Sequence, residues 1–384
     1  MIYLNNAATS FPKPSSVRQA VIEAVSSLPP GQYRSTSLRR DLFDDCRKLL
    51  GELLGIRDTE RIFFSSGATE SLNALLYGLA VPSEQIITTV TEHNSVLRPL
   101  FNLPSIAGKP VLLPCDPDGV VAPELFEAEA KKGRARAIVL NHCSNVTGAV
   151  QDAEAIGRIA KQYGLLFILD VSQSAGCIPV CAERFGADAL AFTGHKSLMG
   201  IQGTGGYYVK KGIPFKPLLY GGTGRDSERL VYETDYEYEM GTGNTPGIAA
   251  LLAGVSWVLD RGVSKIQRQE KVLSEYALTL LSELADIRIF GARLSERGPL
   301  ISFQSVSFSP ADLAYILQNS LGIVTRAGLQ CAPLIHDCIG SGKQGTLRIS
   351  FSPFNTKEEI EALQAGLKEL TCADGKSSAD RKLS

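Results

Sequence analysis

Hydrophobic positions along the 384-residue chain gather into short apolar runs separated by amphipathic stretches. Two runs are clearest. Leu165-Leu166-Phe167-Ile168-Leu169 stops at Asp170, and Asp188-Ala189-Leu190-Ala191-Phe192 stops at Thr193-Gly194-His195-Lys196-Ser197. Continuous apolar runs of this length, bounded by polar residues and Gly, predict strands buried on both faces of a parallel sheet. Further strands are expected near 61–65, 86–90, 110–113, 137–141 and 204–209, with helical patterns between several of them, notably 69–79, 93–103 and 152–163. That alternation predicts an α/β fold with a mostly parallel seven-stranded sheet and helices on its faces.

Outside this block the pattern differs. Residues 1–15 read as an extended arm, because Asn5-Asn6-Ala7-Ala8-Thr9 runs into Pro12 and Pro14. A helix from about Ser16 to Ser26 is broken by Pro29-Pro30-Gly31, and another, from about Leu38 to Leu54, stops at Gly55. After Tyr207-Tyr208 come glycine loops at Gly221-Gly222-Thr223-Gly224 and Gly241-Thr242-Gly243-Asn244, then a long helical region near Pro246. From about 260 onward a smaller α+β unit is expected: helix 262–284, strand 300–308, helix 310–319, strands near 323–326 and 346–351, and helix 356–370. The expected division is an arm (1–15), a large domain (16–259), a small C-terminal domain (260–373) and a polar tail (374–384).

Composition narrows the possible functions. A hydrophobic content of 44% supplies an ordinary globular core, and a net charge of −1 leaves no electrostatic case for nucleic acid or an anionic membrane. No apolar run approaches the ~20 residues that span a bilayer. The amino end lacks the basic and apolar regions of a signal peptide, and eight Cys without a small-domain disulfide framework fit a reducing cytoplasm.

Ligand groups in parallel sheets gather beyond the carboxyl ends of the strands, so Asp170, Gln173, Thr193, His195 and Lys196 are expected in one crevice. A buried carboxylate and a buried lysine suit a cofactor with a cationic ring nitrogen and an aldehyde, which is the description of pyridoxal 5'-phosphate. The first strand ends in Ser65-Ser66-Gly67-Ala68-Thr69-Glu70, where small residues at a helix start let backbone N–H groups and the Thr69 hydroxyl approach a phosphate. His93 and Asn145 each follow a strand and point to the same crevice; an imidazole there could lie over a flat ring and move protons. Late in the chain come Arg326 and Arg348, and an Arg from this second unit is a natural bidentate clamp for a carboxylate; Cys331 sits in a Gly-containing loop where a thiol can reach a ligand. Cys331, His336 and Cys338, or Cys177 and Cys181, match no familiar zinc spacing, so no metal is expected; Cys46, Cys115, Cys143 and Cys372 are read as core or surface thiols.

Assembled, these residues resemble the class V aminotransferase-like family of pyridoxal phosphate enzymes, in its cysteine desulfurase and selenocysteine lyase branch. The likeness runs from Leu4-Asn5-Asn6-Ala7-Ala8 to Phe354-Asn355-Thr356, carried by Ser-Gly-Ala-Thr-Glu at 66–70, Glu92-His93-Asn94-Ser95, Asp170 through Gln173, Thr193 to Lys196, Gly241-Thr242, Arg326 to Cys331, and Arg348. It implies a fold type I transferase and a homodimer. By that resemblance Lys196 would hold the cofactor as a Schiff base and move the substrate Cα proton. Asp170 would pair with the ring nitrogen, Gln173 with the ring hydroxyl, and His93 would stack on the ring. Ala68, Thr69, Thr193 and His195 would bind the phosphate, with Thr242 added from the partner subunit. Asn145 and Arg348 would hold the amino acid carboxylate, and Cys331 would take the sulfur of L-cysteine as a persulfide, leaving L-alanine. The sulfur would pass to an acceptor protein or a small thiol, for iron–sulfur clusters or thiolated cofactors. The alternatives are a selenocysteine lyase or cysteine lyase on the same scaffold, with L-selenocysteine as a second substrate, or another small amino-acid aminotransferase. Three features depart from the branch's common pattern: Gln330 stands where a His often precedes the cysteine, Thr193 where Ser is usual, and the interval from Arg326 to Cys331 is short, as in the branch that serves a dedicated acceptor protein.

Overall fold

A computed structural model describes residues 1–26, 42–79, 85–102, 109–222, 228, 230 and 239–380, with only the backbone given for 371–380. The strands in chain order are β1 (Ile2–Tyr3), β2 (Ile62–Ser65), β3 (Gln85–Thr89), β4 (Val111–Leu113), β5 (Ala135–Asn141), β6 (Leu166–Asp170), β7 (Ala189–Thr193), β8 (Gly205–Val209), β9 (Ile287–Phe290), β10 (Leu300–Ser305), β11 (Ile323–Val324), β12 (Arg326–Gly328) and β13 (Thr346–Ser350).

The large sheet has the order β2-β8-β7-β6-β5-β3-β4. Pairings from β4 through β7 are parallel, while β8 runs antiparallel to both β7 and β2. Both faces are packed, which explains the unbroken apolar runs. Phe167 and Leu169 of β6, and Leu190 and Phe192 of β7, enter a core with Leu50, Leu54 and Leu251. Their neighbours Ile168, Ala189 and Ala191 enter the opposite core with Leu72, Leu75 and Leu76 of the helix Ala68–Leu79. Successive side chains point to opposite faces of a strand, so a strand covered on both sides must be apolar throughout. The chain goes outward from β3 to β4 and then returns past β3 to β5, placing a topological switch between β3 and β5. The crevice beyond the carboxyl ends of β3, β5, β6 and β7 lies there.

The C-terminal part holds the antiparallel sheet β12-β13-β10-β9 and the parallel pair β1-β11. Its core joins Ile301, Phe303, Leu347 and Ile349 to Leu273 and Leu281 of the helix Val263–Ser282 and to Leu363 of the helix Lys357–Asp380. The amino-terminal arm belongs to this core as well: Leu4 is fully buried in it, and Asn5 bridges Ser350.

Several boundaries differ from expectation. The strand expected at 300–308 ends at Ser305, where Ser305 and Ser307 turn to bind the Asp286 carboxylate. The strand near 323–326 is two pieces, β11 and β12, belonging to different sheets. β9, the helix Pro123–Ala130 and the short helices Ala182–Phe185 and Ile335–Cys338 were not anticipated. The last helix, expected at 356–370, continues to Asp380 through most of the stretch read as a polar tail. Pro29-Pro30-Gly31, residues 38–41 of the second helix, residue 103, Thr223-Gly224 and 381–384 lie outside the described residues. Among the described residues no single helix is long and apolar enough to cross a membrane.

Candidate active site

Asp170 ends β6 and lies 7% exposed. Its Oδ1 accepts hydrogen bonds from the Ser172 main-chain N–H at 2.9 Å and hydroxyl at 2.5 Å. One β-ladder step away, Asn141 ends β5 opposite Asp170. β7 ends in Thr193, and the turn that follows carries His195 and Lys196. Gly194 is required in this turn, because a Cβ there would collide with the Thr204 hydroxyl.

The amino-terminal arm fastens the Lys196 segment. The His195 carbonyl accepts from Ser10 N–H at 3.0 Å, Thr9 Oγ1 at 3.1 Å and Lys13 Nζ at 2.9 Å. Ser10 Oγ donates to the Lys196 carbonyl at 2.7 Å and itself accepts from Lys13 Nζ. Gln173 Nε2 donates to the Ala7 carbonyl at 3.1 Å, so the arm also ties to the loop after Asp170.

Burial lowers the Lys196 amine to about 8, with the Asp170 charge opposing and the Arg348 charge assisting. His93 falls to about 4, chiefly through burial and then the Lys196 charge. His195 falls to about 4 by burial, with Lys196 and Lys13 adding to it. The crevice therefore holds neutral imidazoles beside an easily deprotonated lysine at neutral pH.

Arg348, on β13, is 3% exposed and brought down to about 10 by burial, then by Arg326, its cross-strand partner on β12. Its Nη1 donates to the Asn145 carbonyl at 2.8 Å, while Asn145 Nδ2 donates to the Gln330 carbonyl at 2.6 Å. This chain of bonds joins the loop after β5 to the Cys331 loop. Cys331 is exposed, and both it (φ 61°) and Gln330 (φ 43°) adopt left-handed backbone, which is costly for side chains with a Cβ. Several bonds hold that strained pair: Asn94 N–H donates to the Cys331 carbonyl at 2.7 Å, Gln330 Nε2 donates to the Thr346 carbonyl at 2.7 Å, and Thr346 Oγ1 donates to Gln330 Oε1 at 3.2 Å.

A cavity of about 430 Å³ joins these groups. It is lined by Ala68, Thr69, His93, Asn145, Asp170, Gln173, Thr193, His195, Lys196, Cys331 and Arg348, all of them expected from the sequence. Thr242 is not among them; it lies exposed in the bend before the helix Thr245–Arg261. Residues that sequence reasoning passed over also line it, including Ser95, Asn141, Cys143, Ser172 and Arg326. Ser95, Ser172 and Arg326 lie inside stretches already singled out, without a role of their own. Cys143, read as a core or surface thiol, is buried with its pKa pushed up to about 12, and nothing in its local sequence distinguishes it.

This is a site that can bind a flat anionic ring and a small carboxylate, move a proton at Lys196, and present a thiol at the rim. Comparison with known proteins agrees. The aminotransferase class-V family model matches residues 2–363. A probable cysteine desulfurase of Pyrococcus abyssi is 31% identical, with 96% of this chain and 94% of that protein covered. The cysteine desulfurase of Haloferax volcanii is 30% identical, over 94% of this chain and 88% of that protein. The apo structure of a cysteine desulfurase from Thermococcus onnurineus superposes with a TM-score of 0.87 at 31% identity, covering 96% of this chain and 94% of that one. The fold type I architecture expected from the sequence is the observed one. The chain belongs to the class-V aminotransferase family.

Proposed function

We propose that this chain is a pyridoxal 5'-phosphate-dependent cysteine desulfurase that converts L-cysteine to L-alanine and takes the sulfur on Cys331 as a persulfide. The observation that carries the reading is a half-buried Lys196 with a depressed pKa, sharing with Asp170 the cavity whose rim holds Cys331.

The residues present suit the cofactor. Asp170 offers a carboxylate for a protonated ring nitrogen, and the helix start at Ala68–Thr69 offers N–H groups and a hydroxyl for a phosphate. His195 Nδ1 and Arg348 Nε are buried without a hydrogen-bond partner among the described residues, as polar atoms awaiting a ligand would be. When bound, the cofactor supplies an aldehyde for amines and a cationic ring that takes up an electron pair.

The chain's own residues then divide the work. Lys196 Nζ, brought down to about 8 and so readily deprotonated, receives the substrate Cα proton. Asp170, its carboxylate fixed by Ser172, would hold the positive ring nitrogen, and Gln173 would serve the ring hydroxyl. His93 would cover the ring, and Ala68, Thr69, Thr193 and His195 would hold the phosphate, joined by Thr242 of a second subunit in a homodimer. Arg348 and Asn145 orient the substrate carboxylate, which places the substrate sulfur toward Cys331. The Cys331 thiolate forms a bond to that sulfur while the carbon–sulfur bond breaks, its electron pair returning to the carbon skeleton that is protonated to alanine. The persulfide is then passed to a second thiol in a reducing cytoplasm. The same reading assigns cofactor binding to 16–259 and the Cys331 and Arg348 elements to 260–373.

The test is an absorption spectrum followed by L-cysteine addition and an alanine assay, in wild type, Lys196→Ala and Cys331→Ala. A long-wavelength band lost in Lys196→Ala, with alanine formation that needs Cys331, is expected. Alanine formation indifferent to Cys331 would move the function to a lyase, and no band in wild type would overturn the reading.

A further inference from the structure

The imidazole of His93 is held more tightly than stacking on a ring requires. His93 precedes the helix Asn94–Asn102 and caps it: the Ser95 main-chain N–H donates to His93 Nδ1 at 3.0 Å, while the His93 carbonyl accepts from Val96 and Leu97. A second contact reinforces the first. Ser95 Oγ lies 2.8 Å from the same Nδ1 and 2.8 Å from Thr69 Oγ1. Ser95 is 6% exposed and lines the cavity with both partners.

We propose that Ser95 is a positioning residue that holds His93 as a neutral imidazole with its proton on Nε2, so that His93 offers the crevice a fixed hydrogen-bond donor at Nε2 and not a base. The inference rests on the reading of this crevice as the reaction site. A main-chain N–H always carries its hydrogen, so Nδ1 must present its lone pair, and a neutral ring then carries its proton on the other nitrogen. A proton on Nδ1 would face the Ser95 N–H directly. The Ser95 hydroxyl can donate to Nδ1 while accepting from Thr69, or donate to Thr69; neither arrangement needs a proton on Nδ1.

The surroundings keep the ring from gaining a second proton. Lys196 beyond β7, Arg348 on β13 and Arg98 on the helix that His93 caps all disfavour a charged imidazole, and Asp170 alone favours it. Glu92, next in the chain, is pushed up to about 8 by burial and adds little opposing charge at neutral pH. The positive end of the capped helix acts in the same sense as the cations. The role of moving protons that the sequence suggested for His93 therefore falls to Lys196, and Ser95 ties the ring to the Thr69 side of the cavity.

The chain has only four His, so ¹⁵N-histidine labelling with a His93→Gln control assigns the resonance. Long-range ¹H–¹⁵N spectra of the loaded protein should show His93 with bare Nδ1 and protonated Nε2 from about pH 5.5 to about pH 8.5, without titration near the ordinary ~6.5. Ser95→Ala keeps the main-chain N–H and should keep this tautomer, whereas Ser95→Pro, which removes that N–H in a first helical turn where proline is tolerated, should shift His93 toward a mixture of tautomers. An Nδ1–H tautomer in wild type or in Ser95→Ala, a titration midpoint near 6.5 in wild type, or a Ser95→Pro spectrum superposable on wild type would each overturn the proposal. The tautomer is read whatever the reaction. A failed desulfurase reading would appear as absent alanine with this spectrum intact, and a failed inference as the reverse.

Discussion

Replacing Lys196 by Met should stabilise the cofactor-free protein while abolishing its chemistry. The reason lies in the burial that readies the amine for reaction. Its pKa falls from the ordinary 10.5 to about 8, chiefly through loss of water. At about 1.4 kcal/mol per pKa unit, a depression of that size is worth about 3 kcal/mol. Lys196 lines an open cavity, so solvent screening reduces the effective cost to about 1–2 kcal/mol. The sign follows from proton linkage. Below pH 8 the lysine is protonated in both folded and unfolded chains, and the folded state bears the whole cost. Between about 8 and 10.5 the unfolded chain binds the proton that the folded chain has lost, so stability rises with pH, and above that window the cost is gone. Urea unfolding of the cofactor-free wild type and Lys196→Met at a series of pH values reads this directly. The variant should be more stable by about 1–2 kcal/mol at neutral pH, with the difference shrinking as pH rises through the window. A variant less stable than wild type at neutral pH, or a difference that does not change with pH, would refute the reasoning.

Other consequences follow from the same contacts. Arg348→Lys keeps the charge but loses the planar fork that spans Asn145 and the cavity, so KM for L-cysteine should rise about 10–100-fold in steady-state alanine assays, with a smaller change in kcat. Gln330→Ala removes both bonds to Thr346 that hold the left-handed Cys331 loop; kcat should fall about tenfold, an effect of about 1.4 kcal/mol, while the cofactor absorbance stays unchanged. Gly157→Ala would drive a methyl into the Phe185 carbonyl and should destabilise the protein by about 2–3 kcal/mol in thermal unfolding, without altering KM in the folded fraction.

The strand-end chemistry was legible because the large sheet is covered on both faces. Runs such as 165–169 and 188–192 must then be apolar to their ends, and the first polar residue after each marks the crevice; Asp170 and the Thr193–Lys196 turn announce themselves this way. Elements outside that sheet were harder to read. β9 is an edge strand of four residues whose exposed Arg288 dilutes its apolar character. β11 and β12 are separated only by Thr325 yet pair in different sheets, which no local pattern can encode. Pro123 is a helix-start signal, but the short helix it opens buries only Phe126 and Ala130.

Within the site, what stayed hidden were bonds between residues distant in sequence. The arm at 1–15 was read as extended, but nothing local shows that Ser10 would hold the carbonyl of Lys196 across 186 positions. Ser95 reads as an ordinary first-turn residue until Thr69 is placed beside it. Gln330 is the clearest lesson. In sequence it stands as a substitution that removes a proton-handling side chain, whereas the fold uses both ends of its amide to fasten the loop that carries Cys331.

The central claim is that Cys331 accepts sulfur from cysteine. It is tested most directly by mixing the cofactor-loaded protein with one equivalent of L-cysteine, in the absence of any other thiol, and measuring the mass of the peptide that contains Cys331. The account predicts a gain of one sulfur atom on that peptide, in step with the alanine released, and none on the peptide carrying Cys143. Alanine released with no mass gain at Cys331, or sulfur found on another cysteine, would contradict it.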